Sequence, residues 1–366
     1  VGLNRADREY DKYAYIDAIK IYEQIAQRGN ASSETLQKLG NAYYFNGEYA
    51  QAGAWYGKLF EEQGTTTLEP EYYYRYAQTL KSLGKVEESK QYLSKFSQST
   101  SDSSRAALLK QESVFASEIQ KNSGRYRNLT NLSINSAYSD YGSFVTNNEL
   151  LFTTARDTGN FVKREHTWTG DAFTTIHSGN LEEDSNVKTS KRLSSKITSK
   201  FNESTPIISA DGNTMYFTRN NYNGSRGFDA EKTTLLKIYR SLKDKHGNWS
   251  KAESLSINSD AFSSAHPALS SDGNTLYFAS DRPGGFGLSD IWKVAIKADG
   301  SLGTPQNLGD KINTGGRETF PFVTSSNQLY FSTDARPGLG GLDVYASQLK
   351  TDGSLTDAQN VGSPVN

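Results

Sequence analysis

Residues 270–294, SSDGNTLYFASDRPGGFGLSDIWKV, hold a tight turn at Asp272-Gly273 and a strand carrying Tyr277-Phe278. A glycine-rich excursion through Gly284, Gly285 and Gly287 follows, then a second strand from Asp290 to Val294. The same order recurs in FNESTPIISADGNTMYFTRN (201–220) and in RETFPFVTSSNQLYFSTD (317–334). The spacing is regular. Tyr277 and Tyr330, Asp290 and Asp343, Trp292 and Tyr345, and Leu308 and Val361 are each 53 residues apart, as are Tyr239 and Trp292. Asp211-Gly212 and Asp272-Gly273 suit hairpin turns, where the strand twist asks for positive φ. Alternation puts Trp292 and Tyr345 on one face of their strands, to pack between neighbouring sheets. A more degraded unit precedes these three. Its second strand carries Leu151-Phe152, TNNE (146–149) replaces the Asp-Gly turn, and a polar insertion over roughly 178–190 precedes an outer strand, RLSSKIT (192–198). Four strand-like segments per unit at a fixed period predict β-propeller blades over residues 123–366.

Residues 1–122 have a different period. Leu36, Leu39, Gly40 and Tyr43, then Tyr49, Ala52, Tyr56 and Leu59, fit two antiparallel helices joined at Asn46-Gly47-Glu48-Tyr49. This is tetratricopeptide patterning, in which small residues let paired helices approach and Tyr and Leu fill the space between pairs. Ala18 lies 34 residues before Ala52, the period of that repeat, and a third unit starts at Pro70 with Ser89 at the small position. The segment 101–120 reads as a terminal helix covering the last repeat. The expected organisation is therefore α + β: a tetratricopeptide α-solenoid (1–122) followed by a propeller (123–366).

Composition excludes several chemistries. Forty Lys and Arg against 41 Asp and Glu leave no basic field for nucleic acid. Without cysteine there is no thiol catalysis and no zinc-thiolate site. No GxSxG elbow, P-loop or HExxH occurs, and the acidic turns SADGN, SSDGN, KADGS and KTDGS lack the closing Glu of a helical-hand calcium loop. No catalytic residue, cofactor or metal is expected. The basic, acid-free stretch 186–200 reads as a charged outer strand guarding a sheet edge. Asp281, Arg282 and Asp290, repeated as Asp334, Arg336 and Asp343, read either as a ring of charge at the propeller mouth or as Asp–Arg bonds pinning the loops. Thirteen of the 22 tyrosines fall in the first 122 residues. They pack between helices, or line a groove that clasps a peptide. The residues expected to touch a protein partner are Asn41, Tyr44 and Tyr73.

Pro267, Ser270, Asp272-Gly273, Leu276-Tyr277-Phe278 and Ser280-Asp281-Arg282 resemble the core of the TolB-like propeller repeat. With tetratricopeptide units before it, the chain is similar to Bacteroidetes OmpA-family periplasmic proteins of the PorE type, from the type IX secretion and gliding apparatus. In peptide-binding tetratricopeptide domains an asparagine at the position of Asn41 holds a carboxylate, although the accompanying basic residues are not clearly matched. The resemblance implies export to the periplasm, with Val1 a processed terminus, and association with the outer membrane. It implies a PorP/SprF-type barrel as partner, with peptidoglycan reached only through a domain outside these residues. It also implies more blades than four, so an incomplete ring is expected. The alternative is a small four-bladed ring, which adjacent, hydrogen-bonded inner strands in the first and fourth units would mark. The expected function is a non-enzymatic scaffold. Two other readings are a propeller accessory to a peptidase and a glycan or peptide sensor with its ligand in the central channel.

Overall fold

A computed structural model describes residues 2–366 except 63, 65, 66, 157–164 and 223. Among the described residues eight helices come first: α1 (Gly2–Asp11), α2 (Tyr15–Gln27), α3 (Ser33–Phe45), α4 (Tyr49–Glu62), α5 (Pro70–Ser82), α6 (Val86–Ser99), α7 (Ser103–Lys110) and α8 (Glu112–Asn122). Sequence explains several boundaries. Ser32 caps α3 by accepting from the Thr35 amide, Asp102 caps α7 by accepting from Arg105, and Pro70 opens α5 where its missing N–H costs nothing. The first six helices form three hairpins stacked in chain order. Ala18, Ala52 and Ser89, the predicted small residues, are fully buried. A Cβ on Gly40 would stand 2.4 Å from the Tyr56 ring, so only glycine lets α3 and α4 approach this closely. The cluster around Leu36, Tyr56, Leu59, Ala77, Leu93 and Phe96 is continuous across α3–α6.

Among the described residues sixteen strands form four four-stranded antiparallel sheets. Blade one comprises β1 (Asp140–Thr146), β2 (Glu149–Thr154), β3 (Thr175–Asn180) and β4 (Lys191–Arg192). Blade two comprises β5 (Glu203–Ile208), β6 (Thr214–Asn220), β7 (Leu236–Leu242) and β8 (Glu253–Ser254). Blade three comprises β9 (Ser264–Leu269), β10 (Thr275–Ser280), β11 (Asp290–Ala295) and β12 (Gln306–Asn307). Blade four comprises β13 (Glu318–Val323), β14 (Gln328–Thr333), β15 (Asp343–Gln348) and β16 (Gln359–Asn360). Each sheet pairs its strands in chain order. The predicted four-bladed propeller arrangement is present, with Gly212 and Gly273 at positive φ in the first hairpin turns. In blade one Asn147 and Asn148, both at positive φ, do the same work. The insertion in that blade begins only after β3 ends at Asn180, and RLSSKIT is not a strand beyond Arg192. Lys191 and Arg192 are exposed on the outermost strand, as the edge-guarding reading requires.

Neighbouring blades interlock through their faces. Leu151 and Ile176 meet Met215, Phe217 and Tyr239; Ile207 and Tyr216 meet Phe278 and Trp292; Tyr277 and Ile291 meet Phe331 and Tyr345. Trp292 and Tyr345 thus lie between blades, as alternation predicted. Among the described residues blades four and one share no such cluster, and β13 and β1 form no ladder. Tyr141 of blade one and Phe320 of blade four meet edge to face at 6.3 Å. Leu108 of α7 and Phe115 of α8 join the core of blades three and four, tying the helical half to the propeller's outer side.

One device repeats in all four blades. An arginine reaches back to the carbonyl of an isoleucine before the inner strand: Arg156 to Ile134 (2.7 Å), Arg219 to Ile197, Arg282 to Ile257 (3.2 Å) and Arg336 to Ile312 (3.2 Å). Each guanidinium also lies over an aromatic ring of its own blade. Arg156 and Arg219 pair with Asp140 and Glu203, but Arg282 and Arg336 do not bond Asp281 and Asp334. Instead Asp290 accepts from the Phe286 and Gly287 amides, and Asp343 from Leu339 and Gly340. The glycine-rich loops are therefore pinned by carboxylate–amide bonds of Asp290 and Asp343, while Asp334 pairs with Arg317 (3.4 Å) at the entry to β13 and not with Arg336.

Candidate binding surfaces at the helix–propeller junction and the channel

Antiparallel strands alternate direction, so the connections between second and third strands and those entering each inner strand emerge at one end of the propeller. The helices sit on that end. Tyr74 and Gln78 of α5 both donate to the carbonyl of Asp334, Gln78 at 3.1 Å. The Gly340 and Gly341 backbone lies so close to Ser82 and Tyr49 that Cβ atoms there would stand 2.6 and 2.9 Å from their side-chain oxygens. From blade one, Trp168 stacks on Tyr13 (5.7 Å, 12°) and meets Tyr15 edge-on, while its carbonyl accepts from Asn46 (2.9 Å). From the approach to β13, the Arg317 guanidinium lies 5.4 Å from the centre of the Phe45 ring.

Asn41 is buried and fully engaged. Its amide donates to the Tyr10 hydroxyl (3.1 Å) and Tyr72 hydroxyl (3.5 Å), and its carbonyl accepts from Tyr56 (2.8 Å) and Arg75 (3.0 Å). Tyr44 is buried at the junction against Phe45 and Tyr49, and its phenol is held well above its usual range by burial and then by Asp334. Tyr73 lies elsewhere, its ring 5.3 Å from Phe60 on the α4–α6 side. Asn41 and Tyr44 thus flank one place, and Tyr73 does not join them. Arg75, Arg317, Phe45 and Trp168 were not anticipated. Arg75 was within reach, being 34 residues after Asn41, the helical period; the other three meet only in space.

A second group of residues lies on the inner strands. Each inner strand bulges where Gly142, Thr205, His266 or Phe320 takes a φ of +48 to +60°. For three non-glycine residues this is a costly conformation, held by neighbours. Thr205 donates its amide to Thr153 of the preceding blade (2.9 Å) and His266 donates likewise to Thr218 (2.8 Å). His266 stacks on Phe320 (3.9 Å, 12°), with Nδ1 2.6 Å from the Thr319 hydroxyl. Burial lowers its pKa to about 4, leaving a neutral imidazole at neutral pH. Among the described residues no cluster of His, Asp or Glu has metal-site geometry, and no helix is long and apolar enough to cross a membrane.

No family profile and no curated protein sequence matches the chain. Solved structures resemble part of it. A Mycobacterium tuberculosis puromycin-hydrolyzing peptidase is 13% identical over 60% of this chain and 31% of its own, with a TM-score of 0.36. A xylan β-1,4-xylosidase from Bacillus halodurans is 15% identical over 61% and 41%, with a TM-score of 0.35. The Cps50 (Swd1) propeller domain of Myceliophteria thermophila is 8% identical over 51% and 47%, with a TM-score of 0.29. The chain spans less than half the length of each of these three, and no activity passes from them to it.

Proposed function

We propose that the protein is a non-enzymatic scaffold in which three tetratricopeptide repeats and the propeller form one binding platform. The observation that carries this reading is the interlocked junction. Buried hydrogen bonds from α5 and close glycine approaches bind the helical array to the propeller's loop end, fixing both outer surfaces in one orientation. The 34-residue spacing and the buried small residues at Ala18, Ala52 and Ser89 support the repeat assignment. The junction also revises how a partner is met: the helical face bearing Tyr13, Tyr74 and Gln78 is engaged by propeller loops, so a protein partner docks on the remaining helical surface or on the blades' sides. By resemblance of the 267–282 motif, the setting is the periplasm and the partner a PorP/SprF-type outer-membrane barrel, with cell-wall contact through another domain. Surface immobilisation of the chain and titration with such a purified barrel tests this; saturable binding is expected, and no binding at micromolar barrel would sink it.

A further inference from the structure

We infer that blade three holds a binding site for a compact monoanion, a halide or a carboxylate, between Arg282 and Trp292. In every blade the arginine of the repeated device lies near the residue that opens the inner strand. That residue is Asp140 in blade one, Glu203 in blade two and Glu318 in blade four, but Ser264 in blade three. Asp140 stands 3.0 Å from Arg156 and Glu203 stands 3.1 Å from Arg219, while Glu318 acts on Arg336 through its field. Arg282 has no such acid. Asp281, whose field reaches it, accepts instead from the Ser263 amide (2.7 Å), and Arg282 makes no ion pair among the described residues. Three rings surround the guanidinium, those of Phe262, Phe278 and Trp292, with centres 4.9, 4.7 and 5.3 Å away. Burial lowers its pKa to about 10, which still leaves it charged at neutral pH. The side chain is half-buried, so one blade carries a positive charge in a poorly solvated place with no anion beside it.

Hydrogen-bond donors gather in the same place. Arg282 gives Nε to the Ser280 hydroxyl (3.1 Å) and Nη2 to the Ile257 carbonyl (3.2 Å) and the Ser264 hydroxyl (3.0 Å). Its Nη1 bonds nothing among the described residues, so two N–H groups remain to give. The Trp292 indole N–H is buried without an acceptor, an omission that costs the desolvation of the group. Ser264, fully buried, accepts from Arg282 and keeps its own proton to give. Serine is shorter than the acids in its place by a carboxyl group, and a compact anion supplies what it lacks. One uncompensated charge suits a monoanion, and the field of Asp281 disfavours a dianion. Residues 283–288, which follow Arg282, are exposed and leave the site an open edge.

The test holds the whole chain at constant ionic strength in the bulky sulfonate MES while chloride or formate replaces it, with tryptophan fluorescence and melting temperature as readouts. A saturable change, half-complete at millimolar anion, is expected, and the melting temperature rises as the site fills. Arg282→Gln weakens the response at least roughly tenfold. Trp292→Phe, which removes one donor, weakens it as read by melting temperature. Ser264→Glu installs the acid that the other blades carry; it abolishes the response and raises the melting temperature in MES alone. A stronger response to formate assigns a carboxylate, a stronger response to chloride a halide, and equal responses a site open to both; all three support the site. A response that never saturates, no response in the unaltered chain, or one that persists unchanged in Ser264→Glu or Arg282→Gln would overturn it. Should Arg282→Gln fail to fold, Ser264→Glu and Trp292→Phe decide.

Discussion

Glu318 begins the inner strand of blade four, fully buried, and accepts from the Thr314 amide (2.8 Å) and from the Thr314 and Thr333 hydroxyls (both 2.7 Å). Burial outweighs these bonds and raises its pKa to about 7, as it does for Glu203 at the equivalent position of blade two. The folded value lies above the ordinary glutamate value of about 4.3. The contribution to stability is therefore full below that pH and is lost as pH rises through about 7. Denaturation of wild type and Glu318→Gln at a series of pH values should show their difference moving in the variant's favour between about pH 4.5 and 7.5, by roughly 1–3 kcal/mol, then levelling. A difference independent of pH would refute the assignment. Gly40 tests the helical half. With 2.4 Å between an added Cβ and the Tyr56 ring, Gly40→Ala should cost about 1–3 kcal/mol in urea denaturation, whereas Gly29→Ala, with nothing within 4 Å but a φ of +72°, pays only for its backbone. Gly40 was legible in the sequence as a small residue at a fixed place. Glu318 was not, because a carboxylate opening a strand looks the same whether it is solvated or enclosed.

At the scale of elements, the segment 101–120 was expected as one terminal helix covering the last repeat, and it forms two, α7 and α8, of which α8 does more. It covers the propeller too. Asn122 donates to the Asn360 carbonyl (2.8 Å), Glu118 accepts from the Asn360 amide (2.6 Å), and Phe115 enters the core of blades three and four. Phe115→Ala should destabilise the fold by about 3 kcal/mol, with faster hydrogen exchange in β15 and β16 as well as in α8. Exchange changes confined to α8 would mean that the contact contributes little to the blade. The strands themselves were readable because a two-residue alternation with Asp-Gly turns is a local signal. Helix α8 carries a local signal for being a helix and none for what it lies against, since Phe115 would suit any apolar neighbour.

For the whole molecule, the junction makes two periodic halves into one body. Calorimetry should show a single unfolding transition, because Trp168, Gln78 and the 340–341 backbone link elements distant in sequence. Trp168→Ala, which removes the stack on Tyr13 and the edge contact with Tyr15, should lower the melting temperature and split or broaden that transition. Two well-separated transitions in the unaltered chain would show that the halves are only tethered. The site reading changed at this scale as well. Asn41 looked like a ligand-holding residue from its place in a repeat, and in space its four bonds are spent on three tyrosines and Arg75.

By itself the sequence determined the two periods, the four blade units and the small residues that let helices pair, because each is written in neighbouring residues at a constant interval. Only the tertiary structure decided that the helices sit on the propeller's loop end, that Tyr141 of blade one meets Phe320 of blade four, and that Arg75 and Arg317, 242 residues apart, share one aromatic ring. Those facts depend on surfaces brought together across the whole chain, and packing between surfaces leaves no interval in the sequence to read.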